Sequence, residues 1–257
     1  MDYFIIILVS LFASALTLFS GFGLGTLLLP AFALFFPIET AIALAAIIHF
    51  LNNLFKLALF GKKVDKEILI RFGAPSVLAA FVGSWCLVYL TDSLPLYSYT
   101  LFKKPFSVTP ITLTMALVMA FFALFELVPA LANTSFNKKY LPIGGLLSGF
   151  FGGLSGHQGA LRSAFLVKAG LSKESFIATG VFIACFIDIT RLAVYCQQIS
   201  VASDNANYLL LSLATLSAFL GVYLGNVLLK KITIESVKLL VGAFLLVYSI
   251  AFGMGLF

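Results

Sequence analysis

Charge is what this sequence has least of. Of its 257 residues only 10% are Asp, Glu, Lys or Arg, against 61% hydrophobic, and the mean hydropathy is +1.11. A soluble domain needs a charged shell, so this scarcity excludes one and leaves an integral membrane protein. Cysteine is nearly as sparse. Cys86, Cys185 and Cys196 are odd in number and have no metal-ligand spacing, which argues against a disulfide framework or a zinc site and leaves them as packing residues. No phosphate-binding loop is present, so direct nucleotide drive is not expected. The net charge of +6 comes without the aromatic-basic patch of a nucleic-acid binder, and its residues read as topology signals instead. Neither a metal nor an organic cofactor is expected.

Apolar sequence, by contrast, is abundant. Runs cover residues 3–36, 40–60, 68–91, 108–130, 141–169, 174–196, 207–229 and 239–257, most of them about the 20 residues that a spanning helix needs. The connectors are short, which leaves no room for a soluble catalytic domain. The opening MDYFIIILVSLFASALTLFSG imitates a signal peptide, with Ala13-Ser14-Ala15 as its cleavage site, but it has Asp2 where a basic region belongs and reads as part of the structure. Trp85, Tyr89, Tyr97 and Tyr99 read as an interfacial aromatic cluster.

Within the run 141–169 stands GGLSGHQGALR, residues 152–162, a cluster of glycines with a histidine and an arginine. It has a weaker echo 135 residues earlier: Ser20-Gly21 falls on Ser155-Gly156, Glu39 on Glu174, Asn53 on Asp188 and Lys56 on Arg191. Two diverged copies of one unit, 1–131 and 132–257, account for this. If each glycine-broken stretch crossed the membrane once, the loop Lys and Arg residues would split six against seven. If each enters, turns at the glycines and returns, they split eleven against two, with only Lys103 and Lys104 opposite the rest. The second arrangement makes the two units inverted in topology. The expected fold is therefore an all-α integral membrane protein of two inverted repeats, each with a glycine-broken re-entrant or discontinuous helix hairpin followed by spanning helices. In secondary transporters such breaks sit at the midplane and carry the substrate, and backbone leaves a helix at that depth only inside protein or beside a polar cavity.

The Ser-Gly-Phe-Gly-Leu-Gly start at 20–25, the hydrophobic run with its proline, the Gly-Lys-Lys-Val-Asp loop at 61–65 and the GGLSGHQGALRSAF stretch together resemble the sulfite exporter TauE/SafE permeases over nearly the whole chain. That resemblance implies a multi-pass protein of the cell (inner) membrane that moves a small inorganic or organosulfur anion such as sulfite or an organosulfonate. The first break departs from the second in lacking the His-Gln pair and the Arg.

Ionisable groups inside membrane segments are functional candidates by default. Arg162, six residues past Gly156, suits a bidentate grip on two oxygens of a sulfonate or sulfite; the competing reading pairs it structurally with Glu126 or Asp188. His157 and Gln158 sit at the break beside backbone N–H groups freed where the next helix begins, a ready anion site. His157 either titrates and couples a proton to transport or stays neutral against a loose carbonyl. Ser155, Gly156, Gly21 and Gly23 form the breaks themselves and join the candidate substrate site. His49, Asn52, Asn53 and Lys56 fall on one helix face. Lys56 lies about one turn from the helix end, so it either lines the pathway or snorkels, and Arg191 has the same two readings. Asp188 and Arg191, three apart, are also placed to pair with each other. Lys56, Arg162 and Arg191 against Asp188 and Glu126 leave a small positive surplus, while Glu126, near the end of its segment, also reads as facing the headgroups.

Two other functions compete. Gly153-Leu154-Ser155-Gly156 looks like the nucleophile motif of rhomboid proteases, yet no histidine follows His157 to serve as the base from a later helix. A passive anion channel uses re-entrant half-helices just as a carrier does.

Overall fold

The computed structural model describes residues 2–20, 23–101, 103–132, 134–196, 208–228 and 234–256. Two sets of five helices carry the fold. The first set is α1 (Asp2–Ser20), α2 (Leu24–Ala33), α3 (Ile38–Phe60), α4 (Lys66–Thr91) and, after a short hairpin of β1 (Tyr97–Leu101) and β2 (Lys104–Val108), α5 (Pro110–Leu127). The second is α6 (Leu141–Ser155), α7 (Gly159–Leu166), α8 (Lys173–Val194), α9 (Tyr208–Leu228) and α10 (Ile234–Gly253). Among the described residues six helices are long and apolar enough to cross a membrane, α3, α4 and α5 in the first set and α8, α9 and α10 in the second. The chain is an all-α membrane protein. With 10 and 8 residues, α2 and α7 reach only about 15 and 12 Å at 1.5 Å per residue, roughly half a bilayer core.

Helix boundaries follow local chemistry. Thr109 and Thr112 form a reciprocal capping box ahead of α5, with Pro110 at the first helical position, where its missing N–H costs nothing. Ser172 caps α8 by accepting from the Ser175 N–H at 3.2 Å. Gly156 ends α6 at φ +80°, a left-handed conformation suited to glycine, and Gly23 opens α2 at φ +108°.

The second broken stretch turns back on itself. Phe136, ahead of α6, donates its N–H to the Ala164 carbonyl near the end of α7 at 3.2 Å, and its ring stacks on Phe165 with centroids 4.2 Å apart. The chain thus leaves α7 beside the place where it entered α6. The connector at 61–66 lies on the early turns of α8, where the Asp65 N–H meets Thr179 Oγ1 at 2.9 Å.

Small residues set the helix packing. Gly145, Gly149 and Gly153 of α6 press in turn on the backbone at Phe72, Ser76 and Ala80 of α4, so closely that a Cβ at any of them would overlap a carbonyl oxygen. Gly221 and Gly225 of α9 press likewise on Leu11 and Ala15 of α1, and Ser217 Oγ donates to the Ile7 carbonyl at 2.9 Å. In both pairs the residue numbers rise together, so α6 runs parallel to α4 and α1 runs parallel to α9. This is the small-residue contact by which membrane helices approach when water supplies no driving force between them. The pairing is reciprocal: the first helix of each half packs on the fourth helix of the other, α3 packs on α8 and α5 on α10.

The strand pair is a feature beyond the expected aromatic cluster. Tyr99, stacked between Tyr97 and Phe106, donates its hydroxyl to the Met254 carbonyl at 2.6 Å and ties the hairpin to the end of α10. Trp85 and Tyr89 stack on each other on the exposed side of α4.

Candidate functional site

Asp188 of α8, fully buried, is the hub of a polar network. His49 Nδ1 donates to its Oδ2 at 2.7 Å and Asn53 Nδ2 donates to the same oxygen at 3.0 Å. Its Oδ1 accepts from Arg191 Nε at 3.0 Å and from Gln158 Nε2 at 3.3 Å. Arg191 Nη2 is also 2.9 Å from Oδ1, an ion-pair contact outside hydrogen-bond geometry. A carboxylate offers about four lone-pair sites, and here four donors take them. Gln158 links this hub to Arg162, whose Nη1 donates to Gln158 Oε1 at 3.0 Å.

The glycine break makes this convergence possible. An added Cβ at Gly156 would lie 2.8 Å from Arg191 Nη1, so Gly156 is demanded both by its φ and by the guanidinium beside it. Gly25 of α2 brings the two breaks together, with its Cβ position 3.4 Å from both the Gly156 carbonyl oxygen and the His49 ring.

A cavity opens beside the network, lined by His49, Asn53 and Lys56 of α3, Arg162 and Ser163 of α7, Gly180 of α8, and Thr17 and Leu24 at the first break. It offers about 30 Å³ to the centres of water molecules, room for about two. Lys56 is 5% exposed, so its ammonium stays inside. With the Asn52 amide oriented so that all its atoms are satisfied, its oxygen accepts from Lys56 Nζ at 3.2 Å and its nitrogen donates to Ser14 Oγ and the Ala218 carbonyl.

His157 faces elsewhere. Its Nδ1 lies 3.0 Å from Ser155 Oγ and 3.2 Å from the Ser155 carbonyl, and its ring stacks on Phe122 at 5.5 Å. It lines a second cavity with Glu126, which is buried and does not face headgroups. Lys56 and Arg162 at the first cavity, and Arg191 beside it, therefore gather near the Asp188 carboxylate, while Glu126 lies at the other cavity.

Of the residues singled out in the sequence, His49, Asn53, Lys56, Gln158, Arg162, Asp188 and Arg191 meet in one network or its cavity, with Asn52 behind Lys56. Gly21 lies outside the described residues, and Gly23 packs on Thr17. Gly180 and Gly25 belong to the site as well. Gly180, whose Cβ position is 3.4 Å from Arg162 Nε, lies eight residues before Asp188 on the same helix face, and that spacing is the signal that points to it.

The Ser155–His157 contact has the wrong polarity for a nucleophile. Ser155 Oγ donates to the Phe151 carbonyl at 3.0 Å, and the Ser155 carbonyl, an acceptor only, requires the proton on His157 Nδ1. The histidine therefore donates to the serine instead of taking its proton.

Among the described residues, six helices able to span a membrane, two short helices that follow positive-φ glycines and a buried polar cavity beside them define a multi-pass membrane protein. The sequence model of the sulfite exporter TauE/SafE family matches residues 6–252, and the chain belongs to that family. No curated protein and no solved structure matches it.

Proposed function

We propose that the protein is a secondary transporter that carries a small sulfur oxyanion, sulfite or an organosulfonate, by alternating access between two inverted repeats, 1–131 and 132–257. The observation that carries this reading is the convergence of buried donors, Arg162 and Lys56 with Asn53 and His49, on one cavity between the breaks. Taking a charge out of water costs several kcal/mol per ion even after relaxation, and an anion bound there gains charge-assisted hydrogen bonds from both cations.

Arg162 supplies the planar fork for two oxygens of the sulfur group. Lys56 adds a point charge from the opposite half, and Asn53 and His49 line the same space. Asp188 and Arg191 position these donors, with Gln158 as the bridge to Arg162. The inverted arrangement draws support from the packing. Each half has three spanning helices, an odd number, so the second half begins on the face opposite the first once each broken stretch returns to its own side. The parallel pairs α1 with α9 and α4 with α6 fit that scheme. Two halves that exchange partners across one site can rock about it.

The test is uptake by proteoliposomes of sulfite, sulfoacetate, taurine, thiosulfate and sulfate. Saturable counterflow of sulfite or a sulfonate is expected. Unsaturable conductance replaces the carrier with a channel, and indifference to every anion of the panel sinks the reading.

A further inference from the structure

The start of α7 separates two cavities. Arg162 and Ser163 face the one described above, whereas Gly159 and Ala160 face a second, lined also by Thr26 of α2, Glu126 of α5 and His157. The second offers about 10 Å³ to water centres, close to what a single water molecule occupies. Both titratable side chains in it are buried, His157 at 3% and Glu126 at 6% exposure. His157 Nδ1 carries its proton toward Ser155, so Nε2 presents a bare lone pair, and Nε2 is buried with no hydrogen-bond partner among the described residues. An unpartnered buried acceptor is costly. Here it shares a water-sized space with a carboxyl group.

We infer that this second cavity is the proton site of the transporter, with Glu126 and His157 exchanging one proton through a single water; the inference rests on the transport reading above. The water gives a proton to His157 Nε2 and takes one from the Glu126 carboxyl group. Imidazole becomes imidazolium, carboxylic acid becomes carboxylate, and the water is regenerated.

The surrounding charges explain how this step senses the substrate. Arg191 of α8 lies within electrostatic reach of His157, as Lys238 of α10 does of Glu126. Asp188, already saturated by four donors, stands beyond Arg191. A positive charge on His157 repels the Arg191 guanidinium, and an anion in the first cavity relieves that repulsion. Anion and proton therefore favour each other's binding, and by linkage the effect is reciprocal. The expected stoichiometry is cotransport in one direction.

The experiment uses the full chain in proteoliposomes, with sulfite at mildly alkaline pH and, in parallel, methanesulfonate, whose sulfonate does not titrate. Uptake is measured with an imposed pH gradient, with a sodium gradient, and as exchange between equal pools. Wild-type uptake should rise several-fold with the pH gradient and ignore sodium. Glu126→Gln should lose that acceleration while keeping exchange between equal pools, which needs no net proton movement. His157→Asn, which retains a donor for Ser155, should lose the acceleration too, and it decides the matter if Glu126→Gln does not fold. Acceleration that survives in both folded variants overturns the inference. So does wild-type protein that exchanges the anion yet ignores the pH gradient or follows sodium, and the transport reading then stands. Failure of wild-type protein to exchange either anion overturns that reading and this inference with it.

Discussion

Asn53 of α3 and Asp188 of α8, 135 residues apart in the chain, bond to each other, Nδ2 to Oδ2 at 3.0 Å. The contact joins the polar face of α3 to α8 and sets an amide against a carboxylate, and the carboxylate gathers the donors: His49, Gln158 and Arg191 bond to it as well.

Asp188→Asn removes the charge that Arg191 needs. Breaking a buried pair from one side costs about 3–5 kcal/mol, because the remaining charge stays in a low-dielectric setting. The variant should give less folded protein and a lower thermal midpoint in detergent. Asp188→Asn combined with Arg191→Gln should recover part of the loss. A single variant as stable as wild type means that Asp188 is not the hub described.

Glycine packing gives a sharper contrast. A Cβ at Gly149 overlaps the backbone of Ser76, which a rotamer change cannot relieve, so Gly149→Ala should separate α6 from α4 and cost at least the 1–3 kcal/mol typical of overpacking. Gly253, the last residue of α10, whose Cβ position meets nothing nearer than Ala116 Cβ at 3.6 Å, should accept alanine with little change in stability. Yield of monodisperse protein compares the two, and equal behaviour contradicts the packing scheme.

Replacing Ser155 with alanine removes one neutral hydrogen bond to His157 and leaves the Ser155 carbonyl to hold the ring. The expected cost is about 0.5–1.5 kcal/mol in stability, with transport retained. If the wild-type protein cleaves a peptide in the membrane and the variant does not, the nucleophile reading returns.

Most of the architecture was legible because lipid imposes few solutions. Spanning length, the basic-loop asymmetry and the glycine clusters were enough to expect six spans and two breaks. The site was legible residue by residue but not in its grouping. Helical spacing put His49, Asn53 and Lys56 on one face, yet only the packing of α3 on α8 joins that face to Asp188. His157 and Arg162 stand five residues apart, but the turn at Gly156 and the start of α7 send them into different cavities. Glu126 looked like a headgroup residue from its distance to the helix end; the close approach of α10 at Gly242, whose Cβ position is 3.1 Å from Glu126 Cβ, is what buries it. The hairpin of β1 and β2 had no signal beyond its tyrosines, since strands this short depend on their partner.

Orientation is tested by labelling single cysteines after Cys86, Cys185 and Cys196 are replaced. Loops 61–66, 131–140, 168–174 and 230–238 should react from the cytoplasmic side and residues 103–104 from the other. Contact between Phe136 and Ala164 already requires the second and third of these loops to share a face. Access to Lys168 from outside while Lys62 is reached from inside breaks the inverted scheme.

Arg162 carries the last prediction, because its geometry separates charge from shape. The guanidinium is held through Gln158 and lies against Gly180, so its plane is fixed before the anion arrives. Arg162→Lys keeps the charge, loses the fork and frees the Gln158 oxygen, so sulfite or sulfonate affinity should fall clearly while folded yield stays near wild type. Arg162→Ala removes a charge-assisted bond of about 1.5–3 kcal/mol, roughly 10-fold to 150-fold in affinity. Gly180→Ala should act in the same direction and more weakly, since its Cβ crowds the guanidinium without removing it. Binding to purified protein, measured beside yield, distinguishes a ligand from a strut: an arginine that only braced Asp188 would lower the amount of folded protein and leave the affinity of the remainder intact. A well-folded Arg162→Ala variant with wild-type affinity moves the anion to Lys56, His49 and Asn53 on α3.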